Sequence, residues 1–182
     1  MDYPFNFDAD KAIESVLYIL QQGTNPTFLH ISKVMYFADR EHLEKYGRFI
    51  CGDNYVAMKR GPVPSRIYDL LKILRGDTLL FNLPNSIVAN AQSSLKIKEK
   101  YNVHRLRDAN LDFFSDSDLK CLDQAVKDYG NLSSEELTNL SHDQAWQSAN
   151  ENDFIEIEDI VTTLNNANEL MEHLQDQHPG DA

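Results

Sequence analysis

Lys33-Val34-Met35-Tyr36-Phe37-Ala38-Asp39-Arg40-Glu41-His42-Leu43-Glu44-Lys45-Tyr46-Gly47-Arg48 is followed, after three residues, by Gly52-Asp53-Asn54-Tyr55-Val56-Ala57-Met58-Lys59-Arg60-Gly61-Pro62-Val63-Pro64-Ser65. The first half places Val34, Met35, Ala38 and Leu43 on one helical stripe, and Gly47 supplies a stop. The second half breaks that period. Glycines at 47, 52 and 61 and prolines at 62 and 64 punctuate a short run, Tyr55 to Lys59, that reads as a strand. Proline fixes φ and lacks an N–H, so Gly61-Pro62-Val63-Pro64 reads as a stiff corner launching the next helix at Ser65. A rigid loop held between two helices is good material for a binding surface.

Working outward, a first helix begins at Asp8 or Asp10, with Ala12, Ile13, Val16, Leu17 and Leu20 on its inner face and Gly23 at its end. Asn25 and Pro26 read as cap and first turn of the second helix, which runs to about Tyr46. A third spans Arg66 to Arg75, stopped by Gly76. Signals weaken between 79 and 114, where Leu95-Lys96-Ile97-Lys98 alternates like a strand and Val103 to Phe114 offers a second. Ser115 with Asp118 has the form of a capping box, and Ser133 to Glu136 and Ser141 to Asp143 each look like the start of a further helix. After Phe154-Ile155-Glu156-Ile157 a last helix is predicted from about Glu158 to Gln175, with a frayed tail from Asp176. The expected fold class is α+β, mainly α, as one domain over 1–175 with a few short strands.

The chain has 182 residues and a net charge of −12. Residues 1–107 carry 15 Lys and Arg against 11 Asp and Glu, whereas residues 108–182 carry 2 against 18. That balance argues against broad binding to a phosphate backbone and favours long-range capture of a basic partner. Nucleic acid is therefore not expected as a partner. The cations Lys96, Lys98, Lys100, Arg105 and Arg107 around Tyr101 fit an exposed strand edge better than a nucleic-acid track. No apolar run reaches the length of a membrane span, no export signal is present, and Cys51 and Cys121 stand far apart, so the expected setting is cytoplasmic with reduced thiols.

Signatures of chemistry are missing from the sequence. No GxSxG, phosphate loop or HExxH occurs, and no cofactor or metal is expected. Asp39 and His42, three apart, read as an ion pair on a solvated helix face rather than as shared metal ligands. Asp53 and Lys59 flank the short strand, where they pair or cap.

The quoted stretch resembles the Panacea domain, the family of the SocA-like antitoxins and phage-associated GepA-like proteins. The resemblance is carried by Met35-Tyr36-Phe37-Ala38-Asp39, Tyr46-Gly47, Gly52-Asp53, the tyrosine-containing strand and Gly61 to Pro64. It continues in Tyr129-Gly130, Leu132-Ser133, Glu136-Leu137, Leu140-Ser141-His142 and Ala145-Trp146, and so covers about residues 10–160. Cys51 and Phe49 depart from the proline or threonine expected there. The resemblance implies a mainly helical, non-enzymatic, bacterial or prophage-borne antitoxin that neutralises a cognate toxin, encoded by the adjacent gene, through direct protein contact. Its SocA type implies a proteolytic adaptor handing the toxin to an AAA+ protease. Some members carry an added DNA-binding domain, which this chain is not expected to have. The contact residues expected on this reading are Asp39, His42, Tyr46, Asp53, Tyr55, Lys59, Arg60, Gly61, Pro62 and Pro64, with Asp39 and Asp53 supplying charge for a basic toxin.

Overall fold

In the computed structural model, which describes residues 1–79 and 83–177, the fold is organised around one long helix. Helix α1 (Ala9–Gln21) is capped by Asp8, whose side chain accepts the Lys11 amide. Helix α2 (Phe28–Tyr46) follows. Its cap is Thr27, not Asn25, and Gly47 closes it in the left-handed conformation at φ 73°. Asn25 and Pro26 are occupied elsewhere: the Asn25 amide donates to Gly130, and the Pro26 carbonyl accepts the Val103 amide. α2 packs against α1 and, once the chain has turned back, against elements from both the middle and the second half of the chain. Ile31, Val34, Met35, Ala38 and Leu43 are fully buried along it.

Strands β1 (Tyr55–Met58) and β2 (Gly61–Pro64) form a tight antiparallel hairpin with Lys59 and Arg60 as its turn. The proline-rich corner expected at 61–64 is therefore a strand. The register explains how two prolines are accommodated. Pro62 pairs with Ala57 and Pro64 with Tyr55, positions whose backbone groups point away from the partner strand, so no ladder bond is lost. On the far side of β1, Ala57 and Tyr55 exchange backbone bonds with Asn152, Asp153 and Ile155.

Helix α3 (Ser65–Arg75) ends at Gly76, and α4 (Asn85–Ser94) follows. A second hairpin, β3 (Leu95–Lys98) with β4 (Asn102–Arg105), turns through Glu99 and Lys100, both at positive φ. Its tip docks on the start of α2, because the Phe28 amide donates to Tyr101. Helix α5 (Asp116–Tyr129) has the Ser115–Asp118 capping box, and α6 (Ser134–Ser141) the Ser133–Glu136 one. A short α7 (Gln144–Ser148) is capped by Asp143. The predicted last helix is two helices, α8 (Ile157–Thr162) and α9 (Ala167–Gln177). Asn165 and Asn166 between them bond to Glu44, which holds the break against α2. Asp176 and Gln177 are helical, and the remainder of the expected frayed tail lies outside the described residues. The outcome is a mainly helical α+β fold with two small two-stranded sheets among the described residues. No helix among them is long and apolar enough to cross a membrane.

Candidate functional site

The expected contact residues separate into a buried set and an exposed set. Asp39 is fully buried; its carboxylate accepts the Ile50 amide at 2.7 Å and the Tyr55 hydroxyl at 2.6 Å. Burial pushes its carboxyl up to about 6, against the two hydrogen bonds that favour the charge. Asp53 is equally buried and accepts the amides of Arg66 and Ile67, thirteen and fourteen residues on. It thus caps α3 from the far side of the hairpin, a task Pro64 cannot perform. Burial pushes the Asp53 carboxyl up to about 7.

His42 is not on a solvated face and does not pair with Asp39. Its Nδ1 donates to the Arg48 carbonyl at 2.8 Å, and Nε2 lies 3.2 Å from Asp118 and 3.0 Å from Ser117 Oγ. Asp118 also receives Lys11 at 2.6 Å and Arg48 at 2.9 Å, so one carboxylate ties α1, α2 and the 47–54 loop to the start of α5. Its burial opposes ionisation, but His42, Lys11 and the Ser115 amide outweigh that and hold the carboxyl well below the usual carboxylate range.

Asp39, His42, Asp53, Tyr55, Gly61, Pro62 and Pro64 all face the interior, and in this fold they have no surface to offer a partner. They set the geometry of what is exposed. Tyr46, Lys59 and Arg60 are exposed, but Tyr46 lies at the opposite end of α2 from the groove that Lys59 and Arg60 line. The negative charge expected there from Asp39 and Asp53 is internal.

That groove, about 490 Å³, opens between the first turns of α2, the β1–β2 turn, α3 and the tip of the second hairpin. One wall is aromatic: Phe28 meets Tyr68 and Tyr101 edge-on at 6.0 and 5.6 Å. Arg75 braces this wall, lying 5.3 Å from the Phe28 ring and 5.1 Å from that of Tyr101, with its guanidinium held by Asp77. The other wall is Leu29, Met58 and Val63, and Lys59 and Arg60 form the rim. Lys33 lines the groove from within, 1% exposed, its Nζ donating to the Pro62 carbonyl at 2.7 Å.

Beneath the hairpin the packing is close. Gly61 adopts φ 100°, and a Cβ there would stand 2.3 Å from Ser141 Oγ and 2.7 Å from Lys33 Nζ. The Trp146 indole donates to the Met58 carbonyl and stacks on His142 at 3.7 Å, so α7 holds the hairpin from below. Phe28, Lys33, Tyr68 and Tyr101 were not among the contact residues expected from sequence. Tyr101 beside alternating lysines was the one signal that pointed toward them. Among the described residues no group of three or more His, Cys, Asp or Glu is placed to hold a metal.

Comparison with known proteins returned no match among curated proteins and none among solved structures. A family model does match: antitoxin SocA-like, Panacea domain, over residues 31–147. The match runs from the second turn of α2 through the first hairpin and α3 to α7, and takes in Lys33, Lys59, Arg60, Tyr68 and Tyr101 of the groove together with the buried carboxylates that shape it. The chain therefore belongs to the SocA-like antitoxin family defined by the Panacea domain.

Proposed function

We propose that this chain acts in the cytoplasm as the antitoxin of a toxin–antitoxin pair, without catalysis, by binding a cognate protein toxin directly and covering its working surface. The observation that carries this reading is the groove, an apolar and aromatic depression lined mostly by residues within the family match and set on a braced hairpin. Such a site loses little conformational entropy when it binds, which favours affinity from a small interface. The contact residues on this reading are Lys59 and Arg60 at the rim with Phe28, Met58, Val63 and Tyr101 within. Asp39, Asp53 and Tyr55 act indirectly, by holding the hairpin and α3 in place.

The test is growth rescue. The small open reading frame adjacent to this chain's gene is induced with and without it. Restored growth together with co-purification of the two proteins supports direct neutralisation. Toxicity that persists despite co-expression, or a harmless neighbour, counts against it. Following toxin abundance in the same cultures separates occlusion, at constant toxin level, from delivery to an AAA+ protease, at a falling one.

A further inference from the structure

Lys33 is the unusual residue of the groove. It is a lysine at 1% exposure, and among the described residues no carboxylate lies within salt-bridge distance of its Nζ. Asp143, the acid whose charge acts on it, is spent on the Tyr36 hydroxyl, Arg40 and the Trp146 amide. An ammonium has three donors, and the Pro62 carbonyl takes one. Charging an amine buried without a carboxylate partner is costly, and a counter-charge arriving from outside would offset that cost.

The lining of the groove agrees. Three of its side chains, Lys33, Lys59 and Arg60, are basic and none is a carboxylate, in a chain with 29 Asp and Glu against 17 Lys and Arg. The remaining walls are largely aromatic and aliphatic. The volume suits one or two side chains, and three cations around one depression do not form a track for a strand of phosphates. A polyanion would also meet the acidic second half of the chain.

We propose that the groove receives an aspartate or glutamate side chain of the protein partner, seated on the Lys33 ammonium, with a neighbouring apolar side chain of the partner against the Phe28–Tyr68–Tyr101 wall. This rests on the reading that the partner docks at the groove, and it gives the docking segment an acidic–apolar character. Burial, with Arg60 adding to it, pushes the Lys33 amine down to about 7, so seating a carboxylate there is accompanied by proton uptake in neutral to basic solution. The charged groups facing Nζ are Arg60 from the hairpin turn and His142 and Asp143 from the α6–α7 link.

The experiment is selection of a random twelve-residue peptide display library on the full chain, which needs no toxin. Acidic residues adjacent to aromatic or branched apolar ones are expected among the selected peptides. Replacing the acid of the leading peptide by its amide, or Lys33→Met in the protein, weakens binding at least tenfold. Binding to the unaltered chain weakens about tenfold per pH unit above roughly 7, as expected for uptake of one proton. A slope that survives in Lys33→Met belongs to the neighbouring groups and overturns the assignment to Lys33. The double variant Lys59→Glu/Arg60→Glu alters exposed residues alone, keeps the fold, and abolishes the acidic preference.

Neutral or basic peptides, or an acidic preference that survives both variants, overturn the proposal. So does a twelve-residue oligo-dT that displaces the peptides at lower concentration than they displace one another. Acidic peptides without growth rescue retain the groove assignment and remove the antitoxin reading. Rescue that persists in both variants, with no acidic peptides selected, does the reverse.

Discussion

Replacing Asp53 by alanine tests the buried carboxylates as the frame of the site. Asp53 holds the first turn of α3, with 3.0 Å to the Arg66 amide and 2.9 Å to that of Ile67. Alanine leaves both donors without an acceptor. The Ile67 amide is buried, so its desolvation is uncompensated at about 1–3 kcal/mol; that of Arg66 lies nearer solvent and costs less. With the loss of a helix cap, typically about 1 kcal/mol, the expected destabilisation is about 2–4 kcal/mol. At a urea m-value of about 2 kcal/mol per molar, that moves the unfolding midpoint down by about 1–2 M. Asp53→Asn retains one acceptor oxygen and should cost about half as much. Both are read by urea titration at pH 7 followed by far-ultraviolet circular dichroism. A midpoint within about 0.2 M of the unaltered protein for Asp53→Ala would refute the capping role and return Asp53 to the list of candidate contact residues.

The same carboxylates set a pH dependence. Asp39 and Asp53 have folded values near 6 and 7, above the 3.8 of a free aspartate. The stability they contribute is therefore complete below about pH 4 and lost as pH rises through 6 and 7. Asp39→Asn and Asp53→Asn should each cost more stability at pH 5 than at pH 8, measured as urea midpoints at the two values; equal costs would contradict the raised values. A third prediction contrasts two glycines, each at φ 100°. Gly61→Ala adds a clash with Ser141 and Lys33 to backbone strain and should cost about 3 kcal/mol or more, whereas Gly76→Ala meets open space and should cost about 1 kcal/mol. Thermal melts should show drops of roughly 8 °C or more and about 3 °C, respectively.

Local chemistry was the legible part of this fold. The Asp8 cap, the Ser115–Asp118 capping box, the helix start at Ser133 and the glycine stops at 47 and 76 were visible because each acts within a few residues of itself. What was not visible depends on distant partners. Thr27 displaces Asn25 as cap because the second hairpin occupies Pro26. Helix α4 has little amphipathic pattern of its own and is anchored by Asn90 to Asp10. The strand at 61–64 depends on register, since prolines are accommodated at alternate positions alone. The site follows the same division. The first strand and a capping or pairing role for Asp53 were legible, but the hairpin was not, and Asp39, His42 and Asp53 were read as charge offered to a partner because Tyr55, Asp118 and the α3 amides are brought to them by tertiary structure. The aromatic wall draws on three separate segments, and no local pattern joins them.

The support under the first hairpin has a consequence for biosynthesis. Met58 and Gly61 leave the ribosome long before Ser141 and Trp146, the residues that close beneath them. Some 80 residues separate the two groups, and at about 5–20 residues per second their synthesis is about 4–16 s apart. During that interval Ser141 and Trp146 are not there to pack beneath Met58 and Gly61, and the close surroundings of the Lys33 amine are incomplete. The groove becomes complete only when the second half has emerged. A ribosome-bound chain arrested before residue 141 should therefore neither protect against a toxin nor compete for it, however well its first helices have formed.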